Sequence, residues 1–337
     1  MFSTLKLQAF KSFKELTKVK LSPLTIITGM NSSGKSSILQ SLLILQKLSE
    51  NKTIEDAIPE GHGAFKDFIN VASTPEDFLI ELNNSESKVN RIIKDKYSQE
   101  FDMPAFLFIE ADRFGSRTSI AVNRDDKLDS KGDNLLKVLR NLEDATIPDE
   151  VVHPKSEKQN LLANVQAWLN EISPGAEFKY EIQDKADTSY TLFNDFRSNN
   201  VGYGLSYALP VIVALLYGAT VPGKCVVLLE NPEAHLHPHG QRMMADLICK
   251  VAAAGTQVIL ETHSDHIING VRVNTYRYET EKPGIDKALV SIVHVSQNDS
   301  KQSHILPIEI KERGRIIEAP DDFFMQYTID RRELLGF

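Results

Sequence analysis

Gly29-Met30-Asn31-Ser32-Ser33-Gly34-Lys35-Ser36 sets two glycines, a lysine and a hydroxyl at the spacing of a phosphate-binding loop. The residue types suit a polyphosphate. The glycines let the backbone wrap the phosphates with its N–H groups, and the positive end of the following helix points at them. Lys35 neutralises the outer phosphates, and the Ser36 hydroxyl is a Mg²⁺ ligand. Gly29, Asn31, Ser32, Ser33, Gly34, Lys35, Ser36 and Ser37 are therefore the candidate contacts to a nucleoside triphosphate. The context agrees, because the apolar run Leu24-Thr25-Ile26-Ile27-Thr28 leads in and the helix-like Ser37-Ile38-Leu39-Gln40-Ser41-Leu42-Leu43 leads out. An ordinary glycine turn requires neither neighbour.

Two later segments carry complementary chemistry. Cys225-Val226-Val227-Leu228-Leu229-Glu230 is a buried strand ending in a carboxylate, the Walker B arrangement, which assigns Glu230 to Mg²⁺ alongside Ser36. Val258-Ile259-Leu260-Glu261-Thr262-His263-Ser264 is a second buried strand ending in a polar cluster. Its His263 is expected at the carboxyl edge of the sheet, where α/β proteins bind ligands. His235, His237 and His239 alternate beside Glu233, a spacing that also suits a metal; the stronger reading is a turn belonging to the same motif.

The elements that must position these groups follow from periodicity. Residues 2–29 alternate in strand fashion, and residues 36–48 place apolar side chains at helical spacing. Residues 77–82 and 105–109 read as strands, with a polar, peripheral stretch at 83–103 between them. Residues 123–158 are rich in charge with scattered helical signals, and residues 161–172, including Trp168, then form an amphipathic helix. After it, a helix at 205–217, a strand at 225–229, a helix at 240–254 and a strand at 258–261 alternate, which implies a parallel sheet. Strands at 288–295 and 304–310 and a compact tail at 319–324 end the chain. The expected organisation is 1–122 with the phosphate loop, 123–198 as a helical insertion, 199–285 with the Walker B strand, and 286–337 as C-terminal strands and tail.

Bulk properties narrow the class. The 337 residues allow a large α/β core, and 25% charged with 42% hydrophobic residues is an ordinary soluble balance. No apolar stretch reaches the ~20 residues of a membrane span, and Met1–Lys6 lacks the pattern of a signal peptide; a cytoplasmic protein is expected. The net charge of −8 argues against a dedicated nucleic-acid binder. Basic clusters at Lys11, Lys14, Lys18 and Lys20, and at Arg113, Arg117 and Arg124, read as solvated faces. Cys225 and Cys249 lie in apolar patterns and are expected to pack rather than pair.

Together the motifs resemble a family. Leu5-Lys6-Leu7-Gln8-Ala9-Phe10-Lys11-Ser12-Phe13, the Asn-containing phosphate loop, Val201-Gly202-Tyr203-Gly204-Leu205-Ser206-Tyr207-Ala208-Leu209-Pro210, Glu230-Asn231-Pro232-Glu233-Ala234-His235-Leu236-His237-Pro238 and Glu261-Thr262-His263-Ser264 are similar in kind and order to small ABC-type ATPases. The relatives are structural-maintenance-of-chromosomes, RecF-like and overcoming-lysogenisation-defect proteins. Ala111-Asp112-Arg113-Phe114-Gly115-Ser116-Arg117 and the Phe323-Phe324 tail also resemble bacterial AAA-type proteins found in defence loci.

The resemblance implies an α/β ABC-type P-loop ATPase head with a mainly parallel core sheet, antiparallel N-terminal strands and a helical insertion. It implies a homodimer sandwiching ATP and Mg²⁺, with Ser206 heading the signature helix toward the partner's nucleotide. Gly202 and Gly204 would let the backbone approach, and His263 would sense the γ-phosphate. Arg113 stands near the place of the glutamine loop. The chain departs from the transporter signature at Tyr207-Ala208, where two glycines are usual. It departs again at Asn231, which stands where relatives carry the glutamate that follows the Walker B acid. An amide cannot serve as a general base; it can orient water, or Glu233 can supply the carboxylate. The expected protein is a slow ATPase regulating a separate effector, a nuclease or toxin in anti-phage defence. The alternatives are a DNA-repair or DNA-end-sensing ATPase, or a scaffold that binds nucleotide without hydrolysis. No membrane partner is expected.

Overall fold

The computed structural model describes residues 1–59, 61–113, 115, 120–121, 127–320, 323–324 and 326–336. Arg117 and Arg124 of the second basic cluster, Phe114 and Ser116 of its motif, and Asp321 and Asp322 of the tail lie outside these residues. The chain divides into two compact units, one formed by Met1–Ala105 with Val290–Phe337 and the other by Phe106–Leu289.

In the first unit the alternation at the N-terminus resolves into separate strands. Phe2–Gln8 pairs antiparallel with Thr17–Lys20 on one side and Leu79–Asn84 on the other, turning Phe2, Leu5 and Leu7 inward. The turn after it holds Ala9 and Lys11 at φ 50 and 49. Left-handed backbone opposes this turn, and aromatic packing offsets it: Phe10 and Phe13 are fully buried, and the Phe10 ring lies 5.9 Å from Phe68 and 6.0 Å from Phe78. Burying one such ring contributes about 1.5–3 kcal/mol, enough to hold a residue or two in that region.

The sheet continues through Val89–Ile93 and Lys96–Ser98, a hairpin within the stretch whose polarity suggested a periphery. Its polar character is partly internal. Buried Asn90 accepts from the N–H groups of Glu100 and Phe101 and donates to the Phe101 carbonyl, replacing a hydrophobic anchor with three hydrogen bonds.

A second group of strands supports the phosphate loop. Leu24–Gly29, buried along five of its six residues, runs parallel to Val290–Gln297, which pairs antiparallel with Ser303–Ile308. An unbroken apolar run is what a strand covered on both faces requires. The helix Lys35–Ser49 follows, burying Ile38, Leu39, Leu42 and Leu45 on one face. Phe323 of the tail packs 5.7 Å from the His294 ring and is buried, and a helix, Gln326–Leu335, follows it.

In the second unit Cys225–Glu230 lies between Ala105–Ile109 and Gln257–Glu261, and is parallel to the latter in a register that sets Glu230 beside Glu261. Tyr203–Thr220 is long and apolar enough to cross a membrane, but 67% of it is buried in the protein and it forms a core helix. The helices Pro238–Ala253 and Asp265–Glu279 pack so closely that a Cβ on Gly270 would stand 2.4 Å from the Ala245 Cβ. The second of these was not foreseen in the sequence; Ser264 caps it by accepting from the Ile267 N–H at 3.1 Å.

Residues 123–198 contain the helices Leu135–Leu142 and Leu161–Ile172, with Trp168 packed edge-on to His153 at 4.7 Å, and also the antiparallel strands Phe178–Gln183, Thr188–Phe193 and Phe196–Arg197. Both cysteines are free and buried, and burial pushes the Cys225 thiol up to about 11, so each packs as an inert apolar group.

Candidate nucleotide site

The phosphate loop of the first unit has the backbone its glycines predict. Gly29 adopts φ +142, and a Cβ there would stand 2.0 Å from the Val295 carbonyl oxygen; Gly34 adopts φ +105, with Ser303 Oγ and Ser12 Oγ at 2.6 and 2.7 Å from the same virtual atom. Only glycine fits either cradle. Ser32 is left-handed at φ 62, and Met30, Asn31 and Ser32 are exposed. Gly34 is the N-cap of Lys35–Ser49 and supplies no side-chain cap, so the positive end of that helix is turned to the loop without a capping side chain from its own N-cap residue. Lys35 is buried at 3% exposure and donates from Nζ to the Met30 carbonyl at 2.7 Å, folded across its own loop. The Ser37 N–H returns to the Gly34 carbonyl at 3.2 Å.

Two supports of this loop were invisible in the sequence. Ser303 Oγ donates to the Ser33 carbonyl at 2.5 Å and lies 2.7 Å from Ser12 Oγ, while the Ser303 N–H donates to the Ser12 carbonyl at 2.8 Å. Ser12 and Ser303 are 291 residues apart, and only the fold brings them under the loop. Lys11 of the first basic cluster is engaged as well: its Nζ donates to Gln40 and lies 4.4 Å from the Phe68 ring centroid, and burial lowers its pKa.

The second unit gathers the acidic groups. Glu230 Oε2 accepts the Ala111 N–H at 3.0 Å, and burial, reinforced by the charges of Glu261 and Glu110, raises the Glu230 pKa. A half-buried carboxylate at a strand end is a hard oxygen donor of the kind that ligates a divalent cation such as Mg²⁺. Glu233, 9% exposed, accepts the His263 N–H at 2.8 Å on Oε1; burial raises its pKa too. The partly exposed His263 ring has Nε2 3.8 Å from Glu261 Oε1. The predicted set Glu230, Asn231, Glu233 and His263 is thus brought together at the ends of two adjacent strands.

Asn231 has a structural reason to be asparagine. Its backbone is left-handed at φ 43, its N–H donates to the Glu261 carbonyl at 2.9 Å, and its buried Oδ1 has no partner among the described residues. Asparagine tolerates this conformation better than any longer side chain.

Three expectations change. Arg113 does not reach outward to a nucleotide: it is 3% exposed, and its guanidinium donates to the carbonyls of Tyr207, Glu110, Glu230 and Asn231 at 2.7–2.9 Å. Ser206 does not head its helix: Gly202 is the N-cap, and Ser206 lies one turn in, 4% exposed, with an Oγ unpartnered among the described residues. Gly204 does permit a close approach, but to the chain itself, since a Cβ there would stand 2.7 Å from the His235 carbonyl. The alternating histidines separate: His237 Nδ1 accepts the His239 N–H, His235 packs 4.5 Å from the Tyr207 ring, and among the described residues no group of three or more His, Cys, Asp or Glu can hold a metal.

Fold and phosphate loop are those of an ABC-type P-loop ATPase head. A family model described as "AAA domain, putative AbiEii toxin, Type IV TA system" matches residues 24–269, and the chain belongs to that family. Comparison with curated protein sequences returns no match. Among solved structures, the chain is similar to an Smc head bound to the C-winged helix domain of ScpA, at 15% identity and a TM-score of 0.56, over 92% of this chain and 98% of that one. It is also similar to the Smc head domain with a coiled coil and joint from Pyrococcus yayanosii, at 11% identity and a TM-score of 0.53, over 93% and 98%.

Proposed function

We propose that this chain binds Mg-ATP, dimerises around it, hydrolyses it slowly, and regulates a separately encoded effector, a nuclease or toxin of anti-phage defence in the cytoplasm. The observation that carries the reading is the phosphate loop, with its left-handed glycines, uncapped helix and buried Lys35. Bound Mg²⁺ supplies charge neutralisation at the outer phosphates, with Ser36 and Glu230 as its protein ligands. Lys35 neutralises the γ-phosphate, Glu233 is the candidate acceptor for the proton of the attacking water, Asn231 orients that water, and His263 senses the γ-phosphate. Slow turnover follows from the amide at Asn231. The family description supports a toxin-linked role for the chain.

A second reading is favoured by the same residue: an amide at Asn231, which cannot act as a general base, suits a scaffold that binds ATP and does not turn it over. Light scattering with ATP, ADP or no nucleotide, run beside phosphate release and repeated with Lys35→Ala, separates the two. Doubling of mass in ATP with slow release, both lost in the variant, supports the regulatory ATPase. Doubling without release supports the scaffold, and a constant mass with fast turnover overturns both. Hydrolysis stimulated by DNA and weakened by salt would point instead to an ATPase acting on nucleic acid.

A further inference from the structure

The segment that follows strand Ala105–Ile109 touches the signature helix and the end of the Walker B strand at the same time. Ala111 donates its N–H to the Glu230 carboxylate at 3.0 Å. Two residues on, Arg113 donates from Nε to the Tyr207 carbonyl at 2.9 Å, from one terminal nitrogen to the Glu230 carbonyl at 2.8 Å, and from the other to the Asn231 carbonyl at 2.7 Å. Its guanidinium carbon also lies 5.4 Å from the Tyr207 ring centroid. Gly115 completes the contact, because a Cβ there would stand 3.2 Å from the Tyr207 ring and 3.7 Å from that of Tyr203. The Tyr207 ring in turn packs edge-on to His235, beyond the Walker B acid.

We infer that Arg113 is a positioning residue that couples the start of the signature helix to the backbone of Glu230 and Asn231. A planar guanidinium with donors in a fixed fork sets the relative position of its acceptors. The three acceptors Tyr207, Glu230 and Asn231 are backbone carbonyls of functional segments, so a displacement of Tyr203–Thr220 moves the Tyr207 carbonyl and must be followed by Arg113 or break a buried hydrogen bond. Breaking it is unfavourable, since a buried donor or acceptor without a partner loses its solvation as well. The displacement therefore passes to the strand end, and whatever the signature helix senses alters the placement of the Glu230 carboxylate and the Asn231 side chain. Tyr207, where transporters carry glycine, supplies the ring against which the guanidinium and Gly115 pack.

This inference rests on the proposed ATPase activity, and the experiment distinguishes the two. Steady-state turnover and the Kd for a fluorescent ATP analogue are measured for the wild-type chain, Arg113→Lys and Gly115→Ala, with thermal melting as the check on folding. Lysine keeps the charge and loses the fork. The expected result is a turnover number at least tenfold lower in Arg113→Lys, with KM and Kd within about twofold of wild type. Gly115→Ala, which presses on the Tyr207 ring without removing any hydrogen bond, is expected to lower turnover several-fold at unchanged Kd. Unchanged turnover in folded Arg113→Lys overturns the inference, and so does a parallel loss of Kd and turnover, which would make Arg113 a nucleotide ligand. If Arg113→Lys does not fold, Gly115→Ala decides alone, with wild-type turnover overturning the inference. A wild-type chain without turnover removes the proposed ATPase activity and this inference with it.

Discussion

Replacing Asn231 by glutamate restores the residue that relatives carry and tests two arguments at once. The backbone at this position is left-handed, φ 43, and is held there by the N–H bond to the Glu261 carbonyl and the carbonyl bond from Arg113. A side chain with a free Cβ and no short polar group costs roughly 1–2 kcal/mol in that region, whereas asparagine and glycine are tolerated. Asn231→Glu should therefore melt about 1–3 °C below wild type, and Asn231→Gly should melt above Asn231→Glu by a similar margin.

On the catalytic side a correctly placed general base contributes about 10²–10⁴-fold. If the amide is what limits hydrolysis, Asn231→Glu raises phosphate release by at least an order of magnitude despite its lower stability, while Asn231→Gly does not. Calorimetry or thermal fluorescence reads the first effect, and a coupled phosphate assay the second. A variant as stable as wild type refutes the strain argument, and a folded glutamate variant with unchanged turnover refutes the role given to the amide.

Ser303→Ala removes the hydroxyl under the phosphate loop and leaves the Ser33 carbonyl without that donor, a change expected to cost about 1–3 kcal/mol and to weaken ATP binding roughly tenfold; titration calorimetry showing wild-type affinity would count against the buttress. Glu233 has a raised pKa in the folded protein, chiefly from burial, so the native state holds its proton more tightly than the unfolded chain and stability falls as pH rises from the ordinary carboxylate value through the raised one. Glu233→Gln abolishes that titration while its amide oxygen still accepts the His263 N–H, and its melting temperature should gain on wild type as pH increases; a constant difference between pH 5 and pH 8 would contradict the assignment. The same variant with wild-type turnover would remove Glu233 as the candidate base.

What was legible in the sequence is what acts at short range. A phosphate loop is one contiguous turn whose chemistry dictates its residue types, and a buried strand ending in a carboxylate declares itself by an apolar run and one charge; Gly29, Gly34, Lys35, Glu230 and His263 could be chosen for that reason. The supports were not legible because they are made by backbone acceptors far away in the chain. Arg113 meets carbonyls 94, 117 and 118 residues distant, and a carbonyl carries no side-chain identity to read. The Val89–Ile93 hairpin was hidden for another reason: of the two buried residues of that strand, Asn90 and Ile92, periodicity counts the first as polar.

Asn231 joins the two cases. From sequence alone it is a missing base, while its φ makes it a backbone requirement set by the bond to Glu261 and the pull of Arg113. A chain that keeps Arg113 in this place constrains Asn231 to a left-handed turn, and a left-handed turn disfavours glutamate. In this chain the asparagine and the arginine that binds its carbonyl then form one structural unit. Arg113→Lys combined with Asn231→Glu should accordingly be less destabilised than the sum of the two single variants, by about 0.5 kcal/mol or more in a double-mutant cycle; strict additivity would show the two residues to be independent.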